Sequence, residues 1–178
     1  MTGPCFAIRA PQRPHLKQRR DRLDNNAASV PTFDKGDLPR APARKLAILA
    51  CMDSRLDPAG LLGLDPGDAH VIRNAGGVVS DDAIRSLAMS QTLMGTEQIV
   101  LIHHTDCGML TITDDEFAAK LEAETGHKPD WPVHAFDDLD RNVKNSIAKL
   151  EESPFVPHTD NIKGYVYEVE TGRLREVS

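Results

Sequence analysis

Cys51, His104 and Cys107 are the residues most able to do chemistry in this chain. Two thiols and one imidazole are good zinc ligands. Three protein ligands also leave a fourth position open, which separates a catalytic zinc from a structural one. His104-Thr-Asp-Cys107 spaces an imidazole and a thiol three residues apart, within reach of one ion across a turn. Cys51 has to arrive from elsewhere. It is followed by Met-Asp-Ser-Arg55, so an acid and a guanidinium stand two and four residues beyond a candidate ligand. On an extended segment Asp53 and Arg55 share a face and can form a two-pronged pair. Each feature also has a plain alternative. A cysteine on a buried strand is more often a small inert hydrophobe, and a histidine ending a strand is more often a satisfied polar group. H-x-x-C alone has many chance matches. A surface ion pair two residues apart is worth only ~0–1 kcal/mol.

Apolar patterning supplies the elements that could position these side chains. Leu46-Ala-Ile-Leu-Ala50 reads as a strand buried on both faces, with Cys51 at its end. Pro58 suits the first turn of a short helix, and Asp65-Pro-Gly67 is a turn. Residues 69–73 form a second strand candidate and residues 74–77 a loop. Ser80 is an expected N-cap, with Asp81 and Asp82 favourably placed in the first turn. Ile84, Leu87, Ala88, Gln91 and Met94 then recur at helical spacing, and Gly95 closes the helix. Residues 98–102 are a third buried strand, with His104 and Cys107 just past it. Phe136, Leu139, Val143, Ile147 and Leu150 mark an amphipathic helix that Pro154 stops. Residues 163–169 alternate as a last strand, with a Thr171-Gly172 turn behind it. Trp131 lies in a stretch without a pattern to place it.

Strands alternating with helices predict an α/β fold: a central, mostly parallel sheet flanked by helices. Ligands gather beyond the carboxyl ends of such strands. If the first and third strands are neighbours, Cys51, His104 and Cys107 converge at one edge.

The 178 residues fit one domain. With 40% hydrophobic and 27% charged residues, a core can form without disulfide staples. The longest apolar run, residues 46–52, is far short of the ~20 residues of a membrane span. The net charge of −6 is uneven. Residues 1–20 hold Arg9, Arg13, Lys17, Arg19 and Arg20 and no acid, which leaves −11 on the remainder. An acidic body with 4% aromatics argues against nucleic-acid partners. Cys5, Cys51 and Cys107 give an odd count with no C-x-x-C pair, so a reducing cytoplasm is the expected compartment. Residues 1–23 read as a basic, flexible tail before a domain over 24–178. Residues 31–44, with Pro31, Pro39 and Pro42, read as an extended arm.

Taken in order, Cys51-x-Asp53-x-Arg55, Arg73-Asn-Ala-Gly76 and His104-x-x-Cys107-Gly108 closely resemble the motifs of the β-class carbonic anhydrases, over roughly residue 24 to the end. The resemblance implies one zinc ion per chain on Cys51, His104 and Cys107, with Asp53 and Arg55 as a catalytic dyad. It implies a lyase that reversibly hydrates CO2 to bicarbonate and a proton through a zinc-bound hydroxide. Two thiolates and a neutral imidazole cancel the ion's charge and make it a poorer Lewis acid than one held by three histidines. The bound water must nonetheless ionise near pH ~7 to attack. Asp53 would orient that nucleophile, and Arg55 would keep Asp53 ionised. In some family members this aspartate instead occupies the fourth zinc position.

The superfamily also contains hydrolases of carbonyl sulfide and carbon disulfide, which keeps that substrate class open. A zinc-stabilised regulatory module without turnover is the third reading, and the intact Asp53–Arg55 pair speaks against it. The family's site lies at a dimer interface, so a homodimer or larger homo-oligomer is expected, with the Pro-rich arm able to wrap a partner chain. Some members place a glutamine near the substrate before the first cysteine, where this chain has only Gln12 and Gln18. Gly76 and Gly77 could let backbone approach the site, and Gly108 could free N–H groups for the thiolates. His103 replaces a frequent glycine and is read as packing, with a proton relay as the alternative. His127, His134 and His158 are candidates for proton export without a supporting motif.

Overall fold

Residues 46–51 carry no charged or hydrogen-bonding side chain other than the Cys51 thiol, and every one of them is buried. They form β1 (Leu46–Cys51), the strand around which the sheet is built. The computed structural model describes residues 15–177. The remaining strands are β2 (Ala69–Asn74), β3 (Gln98–His104), β4 (Ile162–Glu168) and β5 (Arg173–Val177). Their order is β2-β1-β3-β4-β5, with β5 alone antiparallel to its neighbour. The helices are α1 (His15–Ser29), α2 (Pro58–Leu62), α3 (Asp81–Met94), α4 (Asp114–Thr125) and α5 (Leu139–Glu151). The mostly parallel, helix-flanked sheet expected from the alternating pattern is therefore present.

β1 feeds both sides of the sheet. Ile48 and Ala50 join a cluster with Leu56, Ile102 and Met109, against which Leu61 and Leu62 of α2 pack. Ala47 and Leu49 join Ala83 and Leu87 of α3 and Leu150 of α5. Continuous apolar sequence on β1 follows from this two-sided burial. The strand order also explains where a site can form. From β1 the chain crosses one way to β2, then returns through α3 to β3 on the other side. The carboxyl ends of β1 and β3 thus flank a topological switch point, where loops diverge and leave a crevice. Ala50 is in register with Ile102, so Cys51 and His104 leave the sheet at the same edge.

Capping follows the side-chain chemistry. Ser80 Oγ accepts from the Ala83 N–H, and Gly95 ends α3 in the left-handed region. Asp138 caps α5, so that helix starts at Leu139, and Phe136 lies before it as a core residue.

The structure departs from the sequence reading in four places. α4 forms in the stretch that has no apolar period, and its start is fixed by a reciprocal capping box between Thr113 and Glu116. β5 follows the Thr171-Gly172 turn and closes a hairpin on β4. Regular structure also begins before the expected domain start. α1 runs from His15 across Leu23, where Lys, Gln, Arg and Leu favour helix without needing an apolar stripe. The tail assignment for residues 1–14 lies outside the described residues. The chain divides into two units, Met1–Leu38 and Pro39–Ser178. The first holds α1 and a 3-10 turn at Val30–Thr32, with turns rather than a continuous extended arm through residues 36–44. The second holds the sheet and the site.

Candidate metal centre

The Cys51 and Cys107 sulfurs and a His104 ring nitrogen all lie within 4.8 Å of one another, and all three side chains are buried. Cys51 ends β1, His104 ends β3, and Cys107 opens the 3-10 turn Gly108–Leu110. Sheet register brings the first two together, and the turn supplies the third.

Hydrogen bonding prepares the His104 ring as a ligand. Its Nδ1 lies 2.7 Å from the Thr105 carbonyl oxygen. A carbonyl only accepts, so Nδ1 carries the proton and the Nε2 lone pair of the neutral ring is left free. That Nε2 is buried with no hydrogen-bond partner, and its closest carboxylate oxygen, Asp53 Oδ2, is 3.8 Å away. A buried imidazole nitrogen left unsatisfied beside two sulfurs is a cost that a shared cation removes.

The sulfurs show the same preparation. A hydrogen bond from the Cys107 thiol pulls Cys51 far down toward the thiolate, more than burial pushes it up. The backbone N–H groups of Asp53 and Gly76 act in the same direction. Cys107 is correspondingly pushed up, first by its bond to Cys51 and then by burial, while the Met109 N–H opposes this. Two sulfurs this close hold one proton between them until a cation takes its place. Burial works against the charged His104 ring, but the Cys51 sulfur and Thr105 carbonyl outweigh it and raise its basicity. The donor set, the free Nε2 and the two linked sulfurs all fit a thiolate-preferring divalent ion.

Asp53 and Arg55 form the two-pronged pair that their spacing allows. Arg55 Nε donates to Asp53 Oδ1 at 3.0 Å and Nη2 donates to Oδ2 at 2.8 Å, while the Arg55 backbone N–H reaches Oδ1 at 2.9 Å. The Arg55 side chain and backbone hold the Asp53 carboxyl well below the usual carboxylate range, so it is ionised at neutral pH. Arg73 fixes the loop itself. Its Nε and Nη2 donate to the Cys51 carbonyl at 3.0 and 2.8 Å, and Nη2 also reaches the Asp53 carbonyl. Asn74 Nδ2 closes the next turn onto the Val78 carbonyl at 2.8 Å. The Arg73-Asn74 segment thus supports the site from behind.

Gly76 and Gly77 are needed sterically. Both have positive φ, +80° and +68°. A Cβ on Gly77 would lie 2.8 Å from the Cys51 nitrogen and 3.0 Å from the Ile102 carbonyl oxygen, so this turn presses directly on β1 and β3. Beside Gly108, the Met109 N–H is the backbone group that reaches Cys107.

A cavity of about 160 Å³ opens onto the candidate ligands, with Met52, Ala75 and Met109 forming its apolar wall. The candidate proton-export residues are not in this wall: His127 and His158 are exposed, and His134 lines a separate cavity beside α5. His103 is fully buried, with Nε2 2.7 Å from Asn142 Oδ1 and its ring 5.6 Å from Phe136, which matches the packing role. Gln12 lies outside the described residues, and Gln18 is described only as part of α1.

The family model for carbonic anhydrase matches residues 46–174, the stretch from β1 into β5. Beta-carbonic anhydrase 1 of Mycobacterium tuberculosis is 50% identical over 158 residues, covering 89% of this chain and 96% of that protein. The chain belongs to the β-carbonic anhydrase family. A solved relative within it, the carbonic anhydrase of Streptococcus mutans, superposes with a TM-score of 0.84 at 43% identity, over 90% of this chain and 97% of that one. The carbon disulfide hydrolase of Acidianus sp. is 40% identical over 158 residues, covering 75% of this chain and 77% of that protein. Cys51, His104 and Cys107 all lie inside the matched span, as do Asp53 and Arg55.

Sequence reading missed one partner beside the candidate centre. Asp106 accepts from Arg55 Nη1 at 2.8 Å. The signal was available: Asp106 stands two residues after His104, as Asp53 stands two after Cys51.

Proposed function

We propose that this chain is a zinc-dependent carbonic anhydrase that reversibly hydrates CO2, with one Zn2+ held by Cys51, His104 and Cys107. The observation that carries the reading is the meeting of three buried donor atoms beside an ionised Asp53. When bound, zinc supplies a Lewis acid that lets water ionise near neutral pH. Asp53, kept as a carboxylate by Arg55, can only accept hydrogen bonds. It therefore fixes the O–H of the attacking water and leaves a lone pair turned toward the substrate. Arg55 holds the carboxylate plane, so this orientation is set before substrate arrives. The apolar wall of Met52, Ala75 and Met109 accommodates a linear, weakly hydrated molecule.

The same wall suits carbonyl sulfide and carbon disulfide, and relatives of that activity are 40% identical. One zinc-loaded preparation should be assayed in parallel for CO2 hydration by stopped flow and for sulfide release. The expected result is fast hydration with little sulfide. Sulfide release that outpaces CO2 hydration moves the assignment to the second substrate class. Replacing Asp53 by Asn should keep zinc at one per chain and lower kcat about 10²-fold, because the near-isosteric amide presents an acceptor and a donor where two acceptors stood. Unchanged kcat in Asp53→Asn removes Asp53 from the mechanism.

The working domain is proposed as residues 24–178, with the basic residues 1–23 outside it. A homodimer is proposed because β2 is an edge strand of a parallel sheet, with Val71 exposed upon it. A fully active species of 19.5 kDa in sedimentation contradicts that. A cytoplasmic setting is proposed because Cys51 and Cys107 are free thiols side by side. Among the described residues, no helix is long and apolar enough to cross a membrane.

A further inference from the structure

The Arg55 guanidinium has more than one anchor. Besides forking Asp53, its Nη1 donates to Asp106 Oδ2 at 2.8 Å and its Nη2 donates to the Asp106 carbonyl oxygen at 3.1 Å. Four of its five N–H groups are therefore spent on two acidic residues from different loops. The placement of those residues is paired. Asp53 lies two residues past Cys51 at the end of β1, and Asp106 lies two past His104 at the end of the neighbouring β3, directly before Cys107. Arg55 thus clasps the two loops that carry all three candidate ligands. Asp106 sits at φ +52°, a left-handed conformation that an aspartate tolerates and most residues do not.

We propose that Asp106 is a positioning residue for the hydration reaction: its carboxylate holds Arg55 in the pose from which Arg55 forks Asp53, and it does so without touching substrate or metal. The inference rests on the CO2-hydration reading. Arg55 has a 45% exposed side chain, and its fork and backbone N–H tie the Asp53 carboxylate to a loop that Arg73 holds, but give the pair no fixed point on the β3 loop that carries His104 and Cys107. The second anchor supplies that fixed point. Asp106 is itself 70% exposed, and an exposed ion pair contributes little to folding. Its effect should appear in the reaction and not in stability.

Two substitutions isolate the side chain while tolerating the positive φ. Asp106→Gly removes the carboxylate, and Asp106→Asn keeps a side-chain oxygen that can accept from Nη1. In zinc-loaded protein, Asp106→Gly should lower kcat about tenfold with KM, melting temperature and zinc content nearly unchanged, a size common for groups that orient a metal site from behind. Asp106→Asn should recover most of that loss. A readout apart from turnover is the Arg55 Nε–H resonance in 15N-labelled, metal-free protein, assigned with Arg55→Lys. It should exchange slowly with solvent in the parent chain and in Asp106→Asn, and rapidly in Asp106→Gly. Parent-like kcat and exchange in Asp106→Gly overturn the proposal. So does an Asp106→Asn variant as impaired as Asp106→Gly, since an acceptor at this position would then not be what matters. A parent enzyme that fails to hydrate CO2 while its Arg55 Nε–H responds as described overturns the activity assignment and leaves the clasp standing.

Discussion

Replacing Cys107 with serine is expected to cut bound zinc from one per chain to a small fraction of that, and CO2 hydration by at least about 10³-fold. The exchange is nearly isosteric at a buried position, so packing changes little. What changes is the ligand. A serine hydroxyl stays protonated at neutral pH and offers a hard, neutral oxygen where a thiolate stood. Metal analysis and stopped-flow hydration on the same sample check this, with circular dichroism confirming the fold. A folded serine variant that keeps its zinc and its rate contradicts the assignment of Cys107.

Gly77→Ala should be strongly destructive for the fold. Its φ of +68° already strains any residue with a Cβ, at a cost of about 1–3 kcal/mol. The added methyl meets the Cys51 nitrogen at 2.8 Å and the Ala50 carbonyl carbon and Ile102 carbonyl oxygen at 3.0 Å. These are backbone atoms of the two central strands and cannot swing aside. A total loss of about 4 kcal/mol or more is expected, against a whole-domain stability of ~5–15 kcal/mol. Gly76→Ala should cost less, because its methyl meets side-chain rather than backbone atoms, Met109 Cγ at 3.0 Å and Phe136 Cε1 and Val78 Cγ1 at 3.1 Å. Denaturant unfolding of both variants tests the order, and a Gly77→Ala protein as stable as the parent contradicts the close approach of this turn to β1 and β3.

Much of the site was legible in the sequence because it is built on strands. Two-sided burial makes β1 and β3 continuous apolar runs, and the ends of those runs locate Cys51 and His104 without any knowledge of the sheet. Neighbourhood of β1 and β3, by contrast, is a property of strand order, which no local pattern encodes. The same limit hid Asp106. Its partner, Arg55, is 51 residues away in the chain, and only sheet register brings the two loops together. α4 escaped notice for a different reason. It has no fully buried residue, so it lacks the apolar period that marks α5, and its one clear signal is the Thr113–Glu116 capping box. α1 likewise lacks an apolar stripe, and its basic, proline-flanked sequence reads as a tail although its residues favour helix. The turn at 74–77 was visible as a loop. That its glycines press on backbone, and that Arg73 grips the Cys51 carbonyl, needed three dimensions.

The meeting of two sulfurs and one imidazole around a single ion is tested most directly by zinc X-ray absorption on the folded protein. The expected first shell holds two sulfurs near ~2.3 Å and two nitrogen or oxygen atoms near ~2.0–2.1 Å, in protein carrying one zinc per chain. A shell without sulfur, or with four sulfurs, contradicts this centre, as does a folded chain that takes up no zinc.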